Sequence, residues 1–285
     1  MWTDTHLHLD ASEYHTDHVL VLSRAASAQI GRFVLPAVHT SNFTCVKELA
    51  HTTDGAVYCL GIHPLFVEQS TESDLRVLKQ HIECSLNDPL FAGIGEIGLD
   101  GLAPHLDWSK QVEFFHSQLK MAAHFDLPVV MHIRKAQDAV LKGLRLHRPK
   151  SGIAHAFNGS FQQAEHFLRL NMKLGFGGAC TFTRALQLRR LVSQLPNEAI
   201  VLETDGPDMA PAWINNQRNE PMHLARIAHT VCELRHTTAE QLSRDTNLNA
   251  ETALPALKSV FKPRLADTPS DLPTPEQKSF HPPHR

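Results

Sequence analysis

FAGIGEIGLDGLAPHLDWSKQVEFFHSQLKMAAHFDLPVVMHIR, residues 91–134, contains one complete strand–helix–strand unit. Phe91 to Glu96 predicts a short buried strand. Ser109 to Phe125 predicts a helix, because Val112, Phe115, Leu119, Ala122 and Ala123 recur at the three- and four-residue spacing of one buried face. Leu127-Pro128 then feeds a second apolar strand, Val129 to His132. Two strands joined by a helix of this length run parallel, with the helix packed over the sheet.

The alternation continues on both sides. Strands are expected at Trp2 to His8, Phe33 to Val38, Val57 to His63, Ile153 to His155, Lys173 to Phe176 and Ile200 to Asp205. With the two above they make eight, the number that closes a (β/α)8 TIM barrel. Further helices are expected at Asp74 to Ser85, Gln162 to Leu170, Ala185 to Leu195 and Pro221 to Leu234, the last with Pro221 in its first turn. No fixed-period repeat is present, which disfavours a solenoid. The expectation is an α/β fold with one barrel domain over residues 1–262. A proline-rich polar tail over 263–285 is expected to be disordered and to carry no catalysis.

Composition bounds the function. The 285 residues are 42% hydrophobic, enough for a full core, and no apolar run approaches the roughly 18 residues of a membrane span. The opening MWTDTHLHLD has no apolar signal region, so a soluble cytoplasmic protein with no membrane partner is expected. Cys45, Cys59, Cys84, Cys180 and Cys232 are odd in number and widely spaced, neither a disulfide frame nor a zinc knuckle. Cys180 reads as inert packing. A formal net charge of −3 argues against coating nucleic acid by bulk charge, so any polyanion must be met locally. Twenty histidines against two tyrosines raise the question of metal, histidine being the commonest metal ligand.

Barrel chemistry is built where strands end at the C-terminal mouth. His6 and His8 close the first expected strand, and side chains two apart share a face. Glu96 follows small and apolar residues, so its carboxylate must be paired, protonated or metal-bound. His132 and His155 end two successive apolar strands. Either alone reads as a core histidine bonded to a carbonyl; two in a row strain that explanation. Asp205 ends the eighth strand before the Gly206-Pro207 turn, with Glu203 two residues deeper as a supporting group. His63, before Pro64, belongs on the rim as a contact to substrate phosphate or leaving group. Four histidines and two carboxylates exceed the needs of one tetrahedral zinc. They suggest two divalent ions: His6, His8 and Asp205 on one, His132 and His155 on the other, Glu96 between them. Nitrogen and oxygen ligands without thiolate suit Zn²⁺, Mn²⁺ or Mg²⁺ alike.

The ordered segments TDTHLHLD (3–10), GIHP (61–64), GIGEIGLD (93–100), LPVVMHIR (127–134), GIAHAFNGS (152–160) and LETDGPDM (202–209) resemble the TatD family of metal-dependent hydrolases, and most its YjjV-like branch. The match is colinear to about residue 260. The resemblance implies an amidohydrolase-superfamily barrel with divalent-metal-dependent deoxyribonuclease activity, a 3'-5' exonuclease or related phosphodiesterase. The family's ligand pattern falls on His6, His8, Glu96, His132, His155 and Asp205. The chain departs from it at Leu7, at Gly101, where many members carry an aromatic, and at Gly206, where alanine is common.

The expected chemistry is hydrolysis of a phosphate ester by a metal-activated water, with Asp205, Glu96 and His63 as the catalytic set. Arg134, Lys135 and Arg184 are candidate phosphate contacts beside His63. DNA or a nucleotide, met at short or single-stranded ends, is the expected substrate; no obligatory protein partner is. Hydrolysis of a small ester, lactone, amide or phosphate monoester stays open, as do a single-metal deaminase and a non-catalytic metal-binding barrel.

Overall fold

Eight strands pair in parallel and in chain order, each with the next, in a computed structural model that describes residues 1–103, 106–214 and 217–260. They are β1 (Trp2–Asp4), β2 (Ile30–Pro36), β3 (Ala56–Leu60), β4 (Phe91–Asp100), β5 (Val129–Arg134), β6 (Gly152–Ala154), β7 (Met172–Phe176) and β8 (Ile200–Leu202). The ring closes between β8 and β1. The Thr5 amide donates to the Leu202 carbonyl at 3.0 Å, Asp205 to His6 at 2.9 Å and His8 to Gly206 at 2.9 Å. The result is a TIM barrel, as the eightfold alternation requires. The expected proline-rich tail lies outside the described residues.

Helices α1 (His18–Ser27), α2 (Phe43–Thr52), α3 (Glu72–Ser85), α4 (Trp108–His124), α5 (Gln137–His147), α6 (Phe161–Leu168), α7 (Leu186–Gln194) and α8 (Leu224–Arg235) follow the strands. Pro221 opens a short 3-10 turn ahead of α8 rather than the α-helix itself. A further helix, α9 (Ala239–Ala253), lies under the barrel. Barrel-interior residues Val34, Val57, Cys59, Ala92, Val130, Ile153 and Val201 pack with Ala250, Ala253, Leu254 and Leu257, which close the floor. Among the described residues no helix is long and apolar enough to cross a membrane.

Two expectations need correction. The ladders of β1, β3, β6 and β8 stop before the functional side chains, which stand on segments tied by single bonds: the His63 amide to Val38 at 2.9 Å, the His155 amide to Met131 at 3.0 Å. β4 instead runs four residues past Glu96, pairing with β5 through Asp100 and Arg134. The buried face of α4 is also rotated from the apolar stripe. Ala123 is exposed, and Gln111 and Gln118 are buried. Both glutamines are satisfied by backbone. Gln118 accepts from the Ile62 amide at 2.7 Å and donates to its carbonyl at 3.0 Å, and Gln111 accepts from the Asp100 amide at 2.9 Å. Helix α4 thereby holds the end of β4 and the approach to His63 in fixed relation.

Candidate metal centre

The ends of β1 and β8 are tied by Asp4, a fully buried carboxyl. It accepts from the Thr204 amide at 2.9 Å, the Thr204 hydroxyl at 2.5 Å and the His6 amide at 3.3 Å. Just beyond it, His6 is fully buried and His8 partly so. The two Nε2 atoms lie 3.2 Å apart, the shared direction that their spacing predicts. Asp205 sits across the seam at φ +58°, a left-handed conformation that Asp tolerates better than most residues. Its Oδ1 is 3.7 Å from each of the two imidazoles.

Glu96 is the hub, 2% exposed and midway along β4. Its Oε2 lies 3.1 Å from His6 Nε2 and 3.4 Å from His8 Nε2. Its Oε1 lies 3.3 Å from His132 Nδ1, 3.4 Å from His63 Nε2 and 4.0 Å from His155 Nε2. Among the described residues no lysine or arginine pairs with it, so the ion-pair explanation of a buried glutamate does not apply here.

The outer nitrogens are engaged in different ways. His132 places Nε2 3.1 Å from Asp100 Oδ2. His155 places Nδ1 3.1 Å from Glu203 Oε1, which also accepts from the Ala156 amide at 2.6 Å. Glu203 fits only because residue 175 is glycine. A Cβ there would fall 2.6 Å from Glu203 Cδ and closer still to Oε2. His63 is opposite in kind, for its Nδ1 accepts the Leu65 amide at 3.1 Å. Pro64 has no amide, so Leu65 supplies the first N–H of the 3-10 turn that His63 caps. A neutral imidazole that accepts at Nδ1 carries its proton on Nε2.

Three sets of donor atoms lie close enough to share an ion: His6, His8 and Glu96; His6, His155 and Asp205; His63, Glu96 and His132. The His155 ring stacks on His6 at 3.7 Å, while its Nε2 and His132 Nδ1 both face Glu96 Oε1, at 4.0 and 3.3 Å. His6 Nε2, His8 Nε2 and Asp205 Oδ1, expected together on one ion, lie 3.2 and 3.7 Å from one another.

The electrostatics fit a cation. Burial opposes ionisation of Glu96, yet the surrounding imidazoles, His6 and His63 foremost, hold its carboxyl well below the usual range. Burial pushes Asp205 up to about 6 against the pull of His155 and His8. Burial works against a charge on His155, but Glu203 and Asp205 together raise it to about 10. Buried His6 Nδ1 has no hydrogen-bond partner among the described residues. Buried imidazole and carboxylate groups converging without an arginine or lysine form the donor set of a divalent metal.

Two cavities open from this centre. One, of about 790 Å³, is lined by Arg134, Lys135, Gln137, Asn158 and Gln187. The other, of about 320 Å³, is lined by His63, Phe66, Asp10, Glu13 and Asp208, with no lysine or arginine among its described lining residues. Arg134 and Lys135, two of the three expected phosphate contacts, line the larger cavity. Arg184, the third, is exposed, lines neither cavity and lies over the Phe182 ring at 5.3 Å. Its place after the loop that follows β7 was its only claim to the mouth. Cys180 is buried, with its thiol pushed up to about 12 by that burial, as inert packing predicts. A side chain at Gly206 would run into Tyr14 Oη, so this chain's tyrosine accounts for its missing alanine.

Sequence reasoning did not single out Asp4, Asp100, Gln111 or Gln118. Asp100 carried a signal in its place four residues after Glu96 on the same strand. The glutamines carried another, seven residues apart on one helix face.

The model of the family described as TatD related DNase matches residues 3–255. The chain is 36% identical over 242 residues to the uncharacterized metal-dependent hydrolase YjjV of Escherichia coli K12, covering 85% of this chain and 93% of that one. The crystal structure of that YjjV, described as a TatD homolog, superposes with a TM-score of 0.85 at 34% identity, over 89% of this chain and 98% of the other. A 3'-5' ssDNA/RNA exonuclease TatD of Klebsiella pneumoniae is 28% identical over 256 residues, covering 87% and 96% of the two chains. This chain belongs to the TatD family and is a metal-dependent hydrolase.

Proposed function

We propose that the chain is a divalent-metal-dependent phosphodiesterase acting on nucleic acid, a deoxyribonuclease that works at short or single-stranded ends. The observation that carries this reading is the joining of a buried imidazole–carboxylate centre to a cavity bearing Arg134 and Lys135. The name of the Klebsiella relative supports a nucleic-acid substrate. The smaller cavity supports an end, since its Asp10, Glu13 and Asp208 repel a continuing polyanion.

His6, His8, Glu96, His132, His155 and Asp205 would hold two divalent cations, Zn²⁺, Mn²⁺ or Mg²⁺. Bound there, the cations supply Lewis acidity toward phosphoryl oxygens and lower the pKa of water from 15.7 toward about 7. Asp205 orients the attacking water and takes its proton. Arg134 and Lys135 receive the non-bridging charge of the phosphate chain. His63 is a donor and not a ligand, because the Leu65 amide leaves its proton on Nε2, facing the centre. That proton is positioned for a phosphoryl or leaving-group oxygen. Glu203 holds His155 for the cation.

The test is a screen of single-stranded and duplex DNA, RNA, phosphate monoesters and lactones with Mn²⁺, Mg²⁺ and Zn²⁺, run beside chelator-treated protein and His132→Ala. Metal-dependent shortening of single-stranded DNA, lost in both controls with the fold intact, is the expected result. Undiminished cleavage by chelator-treated His132→Ala overturns the mechanism, and turnover of lactones or monoesters alone overturns the substrate.

A further inference from the structure

We infer that Asp100 is a positioning residue for the metal centre: it fixes the tautomer of His132 so that Nδ1, and not Nε2, offers its lone pair to a cation beside Glu96. The inference rests on the metal-centre reading above and extends it to a residue outside the ligand set.

Asp100 is held rigidly. It is 1% exposed at the end of β4, its amide bonded to Gln111 and its Oδ1 accepting the Leu102 amide at 2.8 Å. Its Oδ2 is left to face His132 Nε2 at 3.1 Å, with the Arg134 guanidinium 3.7 Å from the same oxygen. A carboxylate accepts only, so the imidazole nitrogen opposite must carry the proton. The remaining nitrogen, Nδ1, faces the Glu96 carboxylate at 3.3 Å, and it is there that a bound cation would take the place of a second proton. A carboxylate behind a ligating histidine sets its orientation and its basicity. The contrast with His63 lies on the same face of Glu96. There a backbone N–H behind the ring presents a proton to the centre; here a carboxylate presents a lone pair.

The consequence for Asp100→Asn follows from the Leu102 amide, which needs an acceptor. The single oxygen of an asparagine goes there, and its NH2 group turns toward His132 Nε2. That nitrogen must now accept, and the ring proton moves to Nδ1, where it blocks coordination. Nearly isosteric replacement thus inverts the tautomer without opening a cavity.

The experiment reads metal and tautomer without substrate, so it stands or falls apart from the phosphodiesterase proposal. Metal affinity is measured by titration calorimetry with Mn²⁺ and Zn²⁺. The tautomer is read from imidazole 15N shifts of metal-free protein at alkaline pH, with His132→Gln used for assignment. Wild type is expected to show protonated Nε2. Asp100→Asn is expected to show protonated Nδ1 and to bind metal about 10- to 100-fold more weakly. A carboxylate that only held the Leu102 turn would leave the tautomer unmoved. Unchanged affinity, or weaker affinity with the wild-type tautomer, therefore overturns the inference. So does a wild-type His132 protonated at Nδ1, a result that needs no variant to fold.

Discussion

Replacing Gly175 by alanine tests whether the packing behind His155 is as tight as it looks. The new methyl would stand 2.6 Å from Glu203 Cδ and 2.8 Å from Oε1, and Glu203 has little room to move, being 1% exposed and bonded to the Ala156 amide. Overpacking of this kind costs about 1–3 kcal/mol. If Glu203 yields, a charge-assisted hydrogen bond to a buried amide is lost, about 1.5–3 kcal/mol. The lower backbone entropy of unfolded alanine returns about 0.5–1 kcal/mol. The net loss is on the order of 2–5 kcal/mol, or about 10 °C in melting temperature. Urea unfolding of wild type, Gly175→Ala, Glu203→Ala and the double variant measures it. With the carboxylate trimmed away, the extra methyl meets empty space, so Gly175→Ala should cost within about 0.5 kcal/mol in the Glu203→Ala background. An equal cost in both backgrounds, or none in wild type, refutes the reasoning.

Gln118→Leu strips partners from both the amide and the carbonyl of Ile62. It should cost about 2–4 kcal/mol in urea unfolding, and slow turnover through His63 at unchanged metal content. At low pH the folded state should lose the help of Asp88. Burial opposes its charge, but bonds from His51, the Leu90 amide and Tyr58 hold its carboxyl down at about 2. A folded pKa depressed below the unfolded value of 3.8 stabilises fully above that value and is lost as pH falls through about 2. The stability gap between wild type and Asp88→Asn, on the order of 1–2 kcal/mol after solvent screening, should be flat above about pH 5 and close between pH 4 and 2.

The barrel was legible because each strand–helix unit carries its own periodicity, and the eight units need only short-range pattern to be counted. The six centre residues were legible for a different reason. Imidazoles and acids at the ends of apolar strands have no inexpensive alternative to meeting at the mouth. What escaped was whatever depends on facing pairs from distant segments. The partnership of Asp100 with His132 is set by the register of β4 on β5, and a strand expected to end at Glu96 gives Asp100 no place in that ladder. The buried glutamines of α4 contradict an apolar stripe because the backbone at the end of β4 and just beyond β3 satisfies them. Arg184 shows the converse: sequence places it near the mouth, and only a side-chain direction reveals that it turns to Phe182.

The apolar seal beneath the strands, where Ala250, Ala253, Leu254 and Leu257 meet the interior valines, makes the lumen blind. A polymer therefore cannot thread this enzyme as a bead threads string. Whatever enters the centre and whatever leaves it must do so on the mouth side, through the two cavities that open there. Departure and arrival are thereby confined to the same rim of the barrel.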